Sequence, residues 1–71
     1  MVKDKIEYIL MLIQLFAKSY GLSFGQAYRY ISRFHGIEYA EEHYNILHTL
    51  SFAEQVEGLS LFCQKNGGKL L

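Results

Sequence analysis

Four side chains in this 71-residue chain could ligate a metal or act as a nucleophile: His35, His43, His48 and Cys63. Zinc takes four such nitrogen and sulfur donors in a tetrahedron. The spacing here fits no zinc pattern, with His35 and His43 eight residues apart and His43 and His48 five. Histidines near helix ends also have a plainer use, because their ring nitrogens bond the free carbonyls of a last turn. The same residues offer a Cys–His pair, in which an imidazole activates a thiol. Cys63, however, falls late in a helical segment, where the helix dipole opposes a thiolate. It also lies on that segment's apolar stripe, the usual place of an inert core cysteine. Glu41 and Glu42 are sequence neighbours that face different ways, so they form no acid–base pair. The sequence therefore predicts a protein that is not an enzyme and has no catalytic, metal or cofactor-binding residue; the alternative reading is a small enzyme or metal protein using His48 or Cys63.

Tyrosine is the other residue type with a message. The six are Tyr8, Tyr20, Tyr28, Tyr30, Tyr39 and Tyr44. Tyrosine joins a large apolar ring to a polar tip, which suits both the rim of a small core and an interface anchor. Two or three are expected at the core rim, with Tyr8, Tyr30 or Tyr39 among the exposed ones.

The elements that position these groups read as helices throughout. There is no proline to break one, so caps and glycines mark the boundaries. The first helix should run from about Asp4 to Tyr20 and end at Gly21. Ile6, Ile9, Leu10, Ile13, Phe16, Ala17 and Tyr20 share one stripe at helical spacing, and Tyr8, Met11, Leu12 and Leu15 lie on the other side. The second helix should run from about Phe24 to His35, capped by Ser23 with Gln26 and stopped by Gly36. Its stripe is Phe24, Ala27, Tyr28, Ile31 and Phe34. A short third helix, about Glu38 to Tyr44, precedes a connection from Asn45 to Leu50. Ser51 with Glu54 forms a second capping box for a last helix from about Phe52 to Lys65, with Phe52, Val56, Leu59 and Cys63 on one face. Gly58 inside it would permit a close helix crossing. The expected fold class is all-α: one compact domain of about four helices, with a core over 4–66 and a frayed tail over 67–71.

Composition narrows the function. At 51% hydrophobic and 20% charged the chain is no disordered segment. A domain this short hides only about 60% of its unfolded surface, and a single cysteine excludes an internal disulfide. Support must come from packing, self-association or a partner. Seven basic residues balance seven acidic ones, whereas nucleic-acid binding needs a basic face. A helix-turn-helix can be drawn through Gly36, but its recognition helix would carry Glu38, Glu41 and Glu42, the wrong sign for phosphate. The apolar run from Ile6 to Ala17 is shorter than the roughly 20 residues that a membrane span requires. It precedes no small-x-small cleavage site, so a cytoplasmic location is expected.

A helix apolar on most of its circumference is normally covered all round. Three short neighbours can scarcely cover the first helix. Its Tyr8, Met11, Leu12 and Leu15 face is therefore the expected docking surface, for a protein partner or a second copy.

Tyr44-Asn45-Ile46-Leu47-His48-Thr49 resembles the Tyr-x-x-Leu-His-Thr signature of a family of small bacterial helical proteins known only as a domain of unknown function. Glu7-Tyr8-Ile9, Gly25-Gln26-Ala27-Tyr28 and Glu54 to Glu57 match further family features, so the resemblance spans about Lys5 to Cys63. The chain departs from the pattern at Asn45, where Asp is expected, and in a less acidic last helix. The resemblance implies no established activity. Relatives found beside proteins similar to ADP-ribosyltransferases would imply an accessory or antitoxin-like partner. Within the signature, Tyr44, Leu47, His48 and Thr49 have structural uses: Tyr44 and Leu47 can pack on one side, His48 can bond the last helical carbonyls, and Thr49 can support the following helix through its hydroxyl. A binding role for His48 is the alternative.

Overall fold

Two capping serines and three positive-φ residues punctuate the described part of the chain. A computed structural model describes residues 2–69, with side chains described from Lys5 onward. Ser23 and Ser51 each accept a bond from the backbone three residues on, and Gln26 and Glu54 reach back to the serine amides, completing both predicted capping boxes. Five helices result among the described residues: α1 Val2–Tyr20, α2 Phe24–Arg33, α3 Gly36–Glu42, α4 Tyr44–Leu47 and α5 Phe52–Lys65. Every regular element among the described residues is a helix, and the third is short, as expected. The predicted connection after it contains the single-turn α4, a difference of one turn.

Gly21 closes α1 as anticipated. At φ +66° it lets the amide of Leu22 reach back to the Ala17 carbonyl at 2.9 Å, the six-to-one bond of a Schellman turn. The next junction differs from expectation. Gly36 does not stop α2; it begins α3, and His35 takes the left-handed backbone at φ 66°. The reason is steric. A Cβ on Gly36 would stand 2.5 Å from Ile31 Cγ2, 2.9 Å from Leu59 Cδ1 and 3.1 Å from Cys63 Sγ. The glycine is consumed by close packing of α2, α3 and α5, so its neighbour carries the backbone cost of about 1 kcal/mol.

The expected fraying of 67–71 is corrected at its start. Gly67, at φ +98°, lets the Gly68 amide bond Cys63 O at 2.9 Å. Gly68 is buried, and a Cβ there would meet Phe34 and the Tyr30 hydroxyl at 2.8 Å. Lys69 is exposed, and Leu70 and Leu71 lie outside the described residues. Gly58 does serve a close approach, because Tyr39 Oη lies 3.0 Å from where its Cβ would be, and the Tyr39 ring stacks on Phe62 at 4.6 Å.

The core joins Leu12, Ile13 and Phe16 of α1, Ala27 and Ile31 of α2, Ala40 of α3, Leu47 of α4, and Val56, Leu59 and Cys63 of α5. Phe52, expected on the α5 stripe, is exposed at the helix start. On α2 the same fate meets Phe24 and Tyr28, while Ala27 and Ile31 are buried.

Candidate functional site

The signature turn is built from short-range bonds. Leu47 plugs the core and the rest of the turn closes above it. His48 Nδ1 lies 2.8 Å from the Tyr44 carbonyl; a carbonyl only accepts, so this nitrogen carries the proton and donates. The imidazole also stacks on the Tyr44 ring, with centroids 4.9 Å apart and planes 11° apart. Thr49 Oγ1 donates to the Ile46 carbonyl at 2.7 Å. Tyr44 in turn meets the Tyr8 ring edge-on at 5.2 Å, which ties the turn to α1.

One helical step earlier the same unit occurs. His43 Nδ1 donates to the Tyr39 carbonyl at 3.0 Å, and its ring lies over that of Tyr39 at 4.8 Å. Tyr39-x-x-x-His43 and Tyr44-x-x-x-His48 are thus a tandem pair. Sequence reasoning missed it, although the repeated spacing was visible. His35 stands apart, its Nδ1 4.0 Å from an exposed Glu38 carboxylate. The histidines and Cys63 do not converge: among the described residues no three His, Cys, Asp or Glu side chains are grouped to hold a metal ion. Cys63 is fully buried, and that burial pushes its thiol from 9.0 up to about 11.

Gln55 is the residue that sequence patterning overlooked entirely. It is only 2% exposed. Its Oε1 accepts from Tyr8 Oη at 2.6 Å, and its Nε2 donates to the Leu50 carbonyl at 2.8 Å. Both ends of the buried amide are used, as burial requires. Burial, reinforced by the neighbouring Tyr39 and Tyr44 phenols, pushes Tyr8 from 10.0 up to about 12.

This geometry corrects the expected docking face of α1. Tyr8 and Leu12 point into the protomer, Leu12 with 1% exposure, and Met11 and Leu15 are half-buried. On α1 the large apolar side chains left in solvent are instead Ile6 at 52%, Leu10 at 49% and, at its end, Tyr20; Ile46, Phe52 and Leu61 are exposed on other helices. Both stripes of α1 are apolar, so hydrophobicity could not orient the helix. What orients it is the line Tyr8, Leu12, Phe16, whose phenol finds Gln55 and whose lower members fill the core. Met11 and Leu15 still border solvent: with Gln14, Ala17, Lys18 and Phe24 they line a groove of about 350 Å³. Among the tyrosines, Tyr20 and Tyr28 are the exposed pair, while Tyr8 is buried and Tyr30 and Tyr39 are half-buried.

α3 presents Glu38, Glu41 and Glu42 to solvent, the wrong charge for a recognition helix. No described helix is long and apolar enough to cross a membrane. The pattern of a family described as "Protein of unknown function (DUF3791)" matches residues 7–66, and the chain belongs to that family. No curated protein and no solved structure matches it.

Proposed function

We propose that this family member is a protein-interaction module that docks through the outer face of α1 and does its work by binding, not by catalysis. The observation that carries the reading is the pair Ile6 and Leu10, one turn apart on one face and each about half exposed, beside the groove bordered by Met11 and Leu15. A small domain with little core to spare gains by burying such a face against another protein. An accessory or antitoxin-like role would be one setting for it. The reactive-group inventory points the same way. A fully buried thiol raised to about 11 is a poor nucleophile near neutral pH.

The test compares the wild-type chain with Leu10→Asp. A partner recovered from the native cell and identified by mass spectrometry is purified, and its binding is reconstituted with each form. The reading expects affinity to fall by about tenfold or more, equivalent to roughly 1.4 kcal/mol, with an unchanged melting temperature. Undiminished binding by a folded Leu10→Asp variant would remove α1 as the docking face.

A further inference from the structure

We infer that the seam of α1 flanked by Leu10 and Leu15 is occupied by a second copy of this chain, docked antiparallel so that Glu7 of each copy meets Lys18 of the other; this rests on the docking role proposed for α1. Glu7, Met11, Gln14 and Lys18 recur at i, i+4, i+7 and i+11, the spacing that keeps side chains on a single helix seam. Glu7, Gln14 and Lys18 are exposed and Met11 is half-buried. Apolar groups border the seam on both sides: the exposed Leu10 on one, the half-buried Leu15 on the other. The seam thus has a waist of Met11 and Gln14 with leucines on its edges, an acid at one end and a base at the other.

That charge order selects a geometry. Glu7 and Lys18 are separated by three helical turns, about 16 Å along the axis. Parallel pairing would set Glu7 against Glu7 and Lys18 against Lys18, a like-charge contact at both ends. A two-fold axis perpendicular to α1, level with the Leu12–Ile13 peptide, brings each acid onto the opposite base. It also places the Met11 and Gln14 side chains of both copies around the axis. Such an isologous contact uses the same patch on each protomer and closes after two copies. It sets each edge of the seam beside the same edge of its mate, so Leu10 shares a side with Leu10 and Leu15 with Leu15. Met11 is unbranched and adapts its shape to a self-complementary contact. The surface is one helix face, at the small end of specific interfaces, so the dimer forms reversibly with concentration. Its rim charges make it weaker in salt.

The test uses six forms: sedimentation equilibrium from about 10 µM to about 1 mM chain on wild type, Glu7→Lys, Lys18→Glu and the double reversal, and oxidative cross-linking of Gln14→Cys and Glu42→Cys. Circular dichroism confirms that each is folded. The expected result is a wild-type dimer weakened by about tenfold in each single reversal and regained in the double reversal, where unlike charges face each other again. Gln14→Cys, close to the two-fold axis, should form a disulfide-linked dimer on oxidation, and Glu42→Cys on α3 should not. A dimer indifferent to the single reversals would overturn the inference, since self-association would then use another face. A wild-type monomer at every concentration would overturn it too. In that case a partner still lost by Leu10→Asp leaves the docking role standing, and a partner retained by Leu10→Asp removes both.

Discussion

The junction around Gly36 and the outer face of α1 are built from the same kinds of residue and behave as opposites. At the junction, Ile31, Leu59 and Cys63 crowd a position where even one methyl group finds no room. On α1, Ile6 and Leu10 stand half in water. Apolar content is similar in both places; packing density is not. The difference separates where the chain keeps its stability from where it has surface to offer.

The largest test of this contrast is Gly36→Ala. Three side chains from two helices would have to yield together, and overpacking of that kind costs about 3 kcal/mol. A domain of this size has little more than that in reserve, so urea titration should find the variant barely stable, with a sizeable unfolded fraction before urea is added. If the variant melts like wild type, the junction is looser than described.

A paired truncation on α1 sharpens the comparison. Leu12→Ala removes a side chain with 1% exposure and should cost about 3 kcal/mol. Leu10→Ala, two residues away and half exposed, should cost under about 0.5 kcal/mol in the monomer. Equal losses by chemical denaturation would erase the distinction between the inner and outer faces.

Alkaline pH probes the interior alone. Both Cys63 and Tyr8 ionise less readily folded than unfolded. The unfolded chain therefore sheds these protons first and is favoured as pH rises. For Cys63 the loss of stability runs from about 9 to about 11, and for Tyr8 from about 10 to about 12. Denaturation midpoints across that range should fall, and Cys63→Ala should remove the earlier part of the fall. In native buffer at neutral pH, an aromatic disulfide reagent should label Cys63 only at the rate of unfolding.

The smallest effect is expected at His35. Glycine relieves a left-handed backbone that costs a side chain about 1 kcal/mol, but it loosens the unfolded chain. His35→Gly should gain about 0.5 kcal/mol, a rise of a few degrees in melting temperature. A loss would mean that the imidazole, 4.0 Å from Glu38, contributes more than its exposure suggests.

The four longer helices, their caps and most boundaries were legible because each has a local cause. Ser23 with Gln26 and Ser51 with Glu54 act within one turn, and Gly21 acts on the turn it ends. The phase of α1 was not legible. Two apolar stripes compete there, and the winner is set by Gln55, a polar residue 47 positions away. Gly36 misled for a related reason: as a local signal it reads as a helix stop, and only the approach of Leu59 and Cys63 assigns it to packing. The signature turn lies between these cases. The bonds of His48 and Thr49 run three or four residues and follow from spacing, whereas the edge-on contact of Tyr44 with Tyr8 needed the fold.

The bond from Tyr8 to Gln55 has a bearing on biosynthesis. It links the opening helix to the closing one, and α5 supplies Val56, Leu59 and Cys63 to the same interior. A nascent chain that has released α1 but not yet α5 carries Leu12, Ile13 and Phe16 without their final cover. Until translation delivers the last helix, those side chains are open to chaperones or to premature association on the polysome.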